Sequence, residues 1–160
     1  MADVHTAETR SANMAAIRAK NTKPELVVRK LLFSRGFRYR LHVKTMPGAP
    51  DIVLPKYGVV ILVHGCFWHG HDCYLFRWPA TRREFWQNKI ERNMARDRRD
   101  ILSLMAGGWR VICVWECAVK GRLRWDSALL GDLLAAQITA VGERSITEIR
   151  HVPPPFALPG

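Results

Sequence analysis

A chain of 160 residues with 25 Lys+Arg against 14 Asp+Glu carries a formal net charge of +11. This length fits one domain, residues 1–160, and an apolar fraction of 48% supplies a core, which argues against wholesale disorder. No apolar run approaches the ~18 residues that cross a membrane, and the polar MADVHTAETR start lacks a signal-peptide core, so a cytoplasmic protein is expected. The excess charge has two readings, a solvated surface or a polyanionic partner, and its size favours nucleic acid. Residues 121–160 hold four basic and four acidic side chains, so the whole excess lies in residues 1–120.

In chain order, residues 7–20 read as a short helix with Met14 and Ile17 three apart. Asn21-Thr22-Lys23-Pro24 opens a second helix, with Pro24 suited to its first turn, and Gly36 ends it. Phe37, Tyr39, Leu41 and Val43 alternate with Arg38, Arg40, His42 and Lys44, which predicts a strand. After the Pro47-Gly48-Ala49-Pro50 turn, residues 51–54 and 59–63 form a β-hairpin around Lys56-Tyr57-Gly58. The second of these strands is apolar throughout, as a central strand is. Residues 64–80 fit neither period and form a loop dense in His, Cys and aromatic side chains. Thr81-Arg82-Arg83-Glu84 has the form of a capping box for a long helix through Phe85, Ile90, Met94, Asp97, Ile101, Leu104 and Met105, stopped by Gly107-Gly108. A buried strand over 109–115, a helix near 126–140 and a proline-bearing tail complete an α/β domain with a mixed central sheet flanked by helices.

Four cysteines in a reducing compartment suggest metal ligands or core thiols before disulfides. The loop offers Cys66-x4-His71-x-Cys73, and Cys117 at the end of the following strand completes a Cys3His set for structural Zn2+. The competing reading is buried thiols and surface histidines. Cys113 sits in the apolar run Val111-Ile112-Cys113-Val114 and reads as a small core hydrophobe.

If zinc takes only His71, then His64 and His69 remain free beside it. Asp51 opens the strand that pairs with residues 59–63, so it can approach His64. A strand-edge carboxylate, two histidines and a basic surface suit Mg2+-assisted phosphodiester hydrolysis, although a Pro-Asp turn is commonly structural. Phe67, Trp68 and Trp86, near Arg77, Arg82 and Arg83, either pack over the metal loop or stack on nucleobases.

The segments Thr9-Arg10-Ser11-x-Asn13-Met14, Pro47-Gly48-x-Pro50-Asp51, His64-Gly65-Cys66-Phe67-Trp68-His69, Cys73-Tyr74-Leu75-Phe76, Pro79-Ala80-Thr81-Arg82 and Trp115-Glu116-Cys117 occur in order over residues 1–120. Together they resemble the very short patch repair (Vsr) DNA mismatch endonucleases. The resemblance implies a restriction-endonuclease-like core with a structural zinc. It implies nicking of double-stranded DNA 5′ to the thymine of a T·G mismatch left by 5-methylcytosine deamination. Carried onto this chain, it makes Asp51 the magnesium carboxylate, His69 the general base, and His64 and Glu25 supporting groups near the scissile phosphate. Cys66, His71, Cys73 and Cys117 match the zinc ligands, and Phe67, Trp68 and Trp86 the aromatics that wedge into DNA. Met14 and Ile17 belong to a DNA-contacting region over 1–20, ahead of a catalytic core over 21–140 and a tail over 141–160.

One departure stands out. Nucleases of this wider fold carry an acidic residue and a Lys on the strand that here reads Val59-Val60-Ile61-Leu62-Val63-His64. Position 63 is often Thr in the family, and the resemblance implies magnesium contact there through the backbone carbonyl, which Val63 also has. The implied partners are a T·G duplex and mismatch-repair proteins, with a bacterial, nucleoid-associated location and a monomeric default. The alternatives are a restriction-type nuclease without mismatch preference and a non-catalytic zinc DNA-binding protein.

Overall fold

The computed structural model describes residues 21–142 and 145–153. The helix expected over 7–20, with Met14 and Ile17, lies outside the described residues. Helix α1 (Lys23–Ser34) starts as its sequence predicts: the Thr22 hydroxyl accepts from Glu25 N, and a proline occupies the first turn. Strands β1 (Arg40–Leu41), β2 (Ile52–Leu54) and β3 (Val59–His64) are antiparallel neighbours. Helix α2 (Arg83–Ala106) leads to β4 (Arg110–Trp115), and helix α3 (Ser127–Thr139) to β5 (Ile146–Ile149). Both β3–β4 and β4–β5 are parallel, so the five-stranded sheet is mixed, in the order β1-β2-β3-β4-β5.

The two-residue side-chain period of the strands divides the interior. Ile52, Leu54, Val59, Ile61, Ile112 and Val114 pack with Val28 and Leu32 of α1 and Leu130, Leu134 and Ile138 of α3. Val53, Val60, Leu62 and Val111 pack with Leu104 of α2. The sheet therefore lies between α1 and α3 on one face and α2 on the other. Among the described residues no helix is long and apolar enough to cross a membrane.

Three local expectations are corrected. The alternation over 37–44 does bury Phe37 and half-bury Tyr39 and Leu41, yet only Arg40–Leu41 are strand. His42 adopts a left-handed φ of 47°, which ends the extended run. There is no capping box at α2: its N-cap is Arg82, at φ 55°, with no side-chain cap hydrogen bond. The Arg82 guanidinium instead lies over the Phe85 ring, 4.1 Å from its centroid. The tail contains β5, whose Ile149 is buried and completes the sheet edge. Its four residues, Ile-Thr-Glu-Ile, are too short a run to stand out from sequence alone.

Candidate active site and metal centre

Antiparallel pairing of Ile52 with Ile61 brings the start of β2 beside the end of β3. There the Val63 N–H donates to Asp51 Oδ2 at 2.8 Å. Glu25, on the first turn of α1, is 2% exposed and reaches the same place. Its carboxylate accepts from Arg29 Nη1 at 3.1 Å and faces His42 Nε2 at 3.0 and 3.1 Å. Donor atoms of Glu25, His42 and Asp51 lie within 4.8 Å of one another. Burial pushes the Asp51 carboxyl up to about 6; the Val63 N–H opposes this and the Glu25 charge adds to it. A buried and a half-buried carboxylate side by side are a donor set that fits a hard divalent cation.

A second group stands one residue further along β3. The His64 ring stacks on His69 with centroids 3.9 Å apart and planes within 2°. His69 Nδ1 is hydrogen-bonded to Asp97 Oδ2 of α2. That contact leaves His69 Nε2 as the ring nitrogen available for proton transfer. His64 is 7% exposed, and burial, then the neighbouring His69, pushes its pKa down to about 3, so its ring is neutral at pH 7. Its Nδ1 lies 3.3 Å from Cys113 Sγ. Burial raises the Cys113 thiol well above its ordinary range, so the S–H remains to donate to that nitrogen. Cys113 is thus buried as expected, but it also holds the inner edge of His64.

The third group is the cysteine cluster. Cys66, His71, Cys73 and Cys117 place their donor atoms within 4.8 Å of one another, and none of the four cysteines is in a disulfide. His71 Nδ1 is 3.5 Å from Cys66 Sγ and 3.6 Å from Cys117 Sγ. Backbone N–H groups of Cys117 and His151 donate to the Cys66 and Cys117 sulfurs at 3.3 and 3.4 Å. The Cys66 and Cys117 sulfurs lie close together. Their contact raises Cys66 and, with help from His71, lowers Cys117 to about 4. Three sulfurs and one imidazole, all but Cys73 buried, with N–H donors to sulfur, can hold a zinc ion. The chain after β5 closes over this cluster, where Arg150 bonds Asp72 through its carboxylate at 3.1 Å and its carbonyl at 2.9 Å.

One ring separates the clusters. Trp115 stacks on His71 with centroids 4.0 Å apart and meets His64 edge-on at 5.3 Å. On the loop's outer side Phe67 lies 5.2 Å from Trp68, 5.9 Å from Phe76 and 5.4 Å from Trp86, all half-buried. These aromatics pack on one another and still show ring surface to solvent. The loop docks on α2 through Gly70, at φ +63°, where a Cβ would stand 2.6 Å from the Met94 sulfur. Asn93 of α2 holds it too, donating to the Trp68 carbonyl at 3.0 Å.

The structure thus brings Glu25, Asp51 and the Val63 backbone to one corner, His64 and His69 to the adjacent one, and the four proposed zinc ligands to a third. Sequence reasoning missed His42 and Asp97 as site residues. Asp97 carried a signal, since a carboxylate stands on the inward stripe of α2 between Met94 and Ile101. His42 carried none, because it falls among the outward basic positions of an alternating segment.

A mixed sheet between helices, with carboxylates and histidines gathered at the ends of its central strands beside a Cys3His cluster, defines a nuclease of restriction-endonuclease-like fold. The family described as DNA mismatch endonuclease Vsr matches residues 2–75. The DNA mismatch endonuclease Vsr of Escherichia coli (strain K12) is 49% identical over 142 residues, covering 89% of this chain and 91% of that protein. A type II nicking enzyme of Xanthomonas oryzae pv. oryzae is 49% identical over 130 residues, 78% of this chain and 96% of that enzyme. A further type II nicking enzyme, from Neisseria meningitidis serogroup A, is 47% identical over 122 residues, 76% of this chain and 87% of the enzyme. The chain belongs to the Vsr DNA mismatch endonuclease family.

Proposed function

We propose that this protein nicks double-stranded DNA 5′ to the thymine of a T·G mismatch, the product of 5-methylcytosine deamination, and so starts very short patch repair. The observation that carries the chemistry is adjacency: the Glu25–Asp51 carboxylate pair and a carboxylate-backed histidine stand at the same end of β3. Asp51 and Glu25, with the Val63 carbonyl, hold Mg2+. Bound there, the ion supplies positive charge for the phosphoryl oxygens. His69 takes a proton from the attacking water through Nε2, and Asp97, against Nδ1, keeps the ring in that tautomer and stabilises the imidazolium that forms. His64 remains neutral; held at Nδ1 by the Cys113 thiol, it offers an Nε2–H to the scissile phosphate.

Selection of the mismatch belongs to the half-buried ring cluster. Phe67, Trp68 and Trp86 enter the base stack where mispairing has lowered the cost of opening it, and the N-terminal region with Met14 and Ile17 approaches the minor groove. The exposed arginines Arg77, Arg82 and Arg83 beside this cluster bind phosphates, which makes affinity strongly salt-dependent. Zn2+ on Cys66, His71, Cys73 and Cys117 gives the loop its shape. The setting is the bacterial cytoplasm, on nucleoid DNA. The protein works as a monomer and hands its nick to mismatch-repair proteins.

The test separates binding from cutting. Asp51→Ala is expected to retain T·G duplex affinity and lose nicking, read by gel shift and by denaturing gel with Mg2+. Full residual nicking removes the metal role from Asp51. Tight duplex binding by the wild type with no metal-dependent cleavage leaves a DNA-binding module instead.

A further inference from the structure

The Glu25–Asp51 corner contains a donor that a magnesium site does not need. His42 points Nε2 at both Glu25 oxygens, at 3.0 and 3.1 Å, and its side chain is 13% exposed. Glu25 already has a cationic partner in Arg29, at 3.1 Å, so charge balance alone does not require an imidazole there. His42 is locked in position: its backbone N–H donates to the Asp51 carbonyl at 3.1 Å, and its φ is 47°.

The spacing also suits shared coordination. Two donors at about 2.1 Å from a cation and roughly at right angles stand about 3.0 Å apart. That is the separation of His42 Nε2 and Glu25 Oε1. The donor set is therefore mixed, two carboxylates and one imidazole, where hard cations such as Mg2+ prefer oxygen alone. We infer that Glu25, His42 and Asp51 form a three-donor site for a divalent cation, which His42 makes tighter for Mn2+ than for Mg2+. This rests on the reading of Glu25 and Asp51 as the cation-holding pair and adds the ligand that sets the metal preference. Coordination through Nε2 uses the ring tautomer that carries its proton on Nδ1, and the Glu25 oxygens exchange the His42 contact for the metal.

The experiment uses the full zinc-loaded chain without DNA, titrated with Mn2+ and followed by electron paramagnetic resonance, with Mg2+ as competitor. The variant is His42→Asn, because Asn adopts left-handed backbone readily and can still donate to Glu25. Wild type is expected to bind one Mn2+ with a ¹⁴N hyperfine coupling. His42→Asn is expected to lose that coupling and about tenfold or more in Mn2+ affinity, with Mg2+ affinity within about twofold. Asp51→Asn is expected to weaken both cations. A coupling that survives in His42→Asn, or equal losses for Mn2+ and Mg2+, overturns the inference. So does Mn2+ binding that is unchanged in Asp51→Asn, since the ion then sits elsewhere. If His42→Asn does not fold, His42→Gln with the same two readouts replaces it, and a wild type without ¹⁴N coupling overturns the inference unaided. Mg2+-dependent nicking of a T·G duplex is scored separately: nicking without ¹⁴N coupling removes only the His42 ligand, and coupling without nicking removes only the nuclease reading.

Discussion

Strands β3 and β4 and the loop over 65–82 meet in space, and the loop follows β3 directly in sequence, but different forces hold them. The strands pair in parallel over six residues and bury Val59, Val60, Ile61, Val111, Ile112 and Val114 almost completely. Their stability is hydrophobic area plus a closed hydrogen-bond ladder. The loop has no regular ladder; its fixed points are the Cys66, His71, Cys73 and Cys117 donors, the ring stack and the Asn93 hydrogen bond. The candidate active site lies where the two regions meet, with Asp51 and His64 fixed by the sheet and His69 by the loop. In the function proposed above, the rigid part sets the cation corner and the loop delivers the proton acceptor.

Breaking the loop is expected to have the largest effect. Cys73→Ala should release zinc, forfeiting much of the ~10–16 kcal/mol that such ions contribute apparently to small domains. Amide exchange over 66–80 should become fast, while 59–63 and 111–114 stay protected. Unchanged metal content by elemental analysis contradicts the ligand set. Breaking the sheet works the other way: Ile61→Ala should cost about 2–5 kcal/mol of global stability. One zinc per chain should remain, and a loss of zinc at full thermal stability would reverse the assignment of forces.

At the junction, His69→Ala should slow nicking ~10²-fold or more under single-turnover conditions. Asp97→Asn should follow with a smaller loss, about 10–100-fold, since it acts through His69. A normal rate in His69→Ala takes the base away from the loop. The smallest effect is in the sheet corner. The folded-state Asp51 pKa, raised to about 6 from an ordinary 3.8, means that the folded protein holds this proton more tightly than the unfolded chain. Stability is therefore lost as pH rises from about 4 through 6 and levels off above. Asp51→Asn should remove that loss, so the metal-free variant gains on the order of 1–3 kcal/mol over wild type by pH 7.5 and little near pH 4. Melting curves at several pH values check this, and a gain that does not depend on pH contradicts it.

The same contrast explains what could be read from the chain. Apolar runs and turn residues expose the core strands, because burial on both faces leaves Val60-Ile61-Leu62 and Val111-Ile112-Cys113-Val114 no polar alternative. The metal cluster was legible from donor types, since Cys and His crowd into eight residues. What escaped depended on long-range contact. Asp97 gains its role from docking 28 positions away on His69, and His42 from a single left-handed residue that ends β1. The start of α2 was legible but its cap was not, for a local reason: the Arg82 guanidinium lies over the Phe85 ring, and the Thr81 and Glu84 pattern is not used.

The most direct measurement compares one 5′-labelled duplex with a T·G pair against its T·A control, with Mg2+ and wild-type protein. The expected result is a single nick 5′ to the mismatched thymine, on that strand alone, and an uncut control. Equal cutting of both duplexes, or a break in both strands, contradicts a mismatch-directed nicking site.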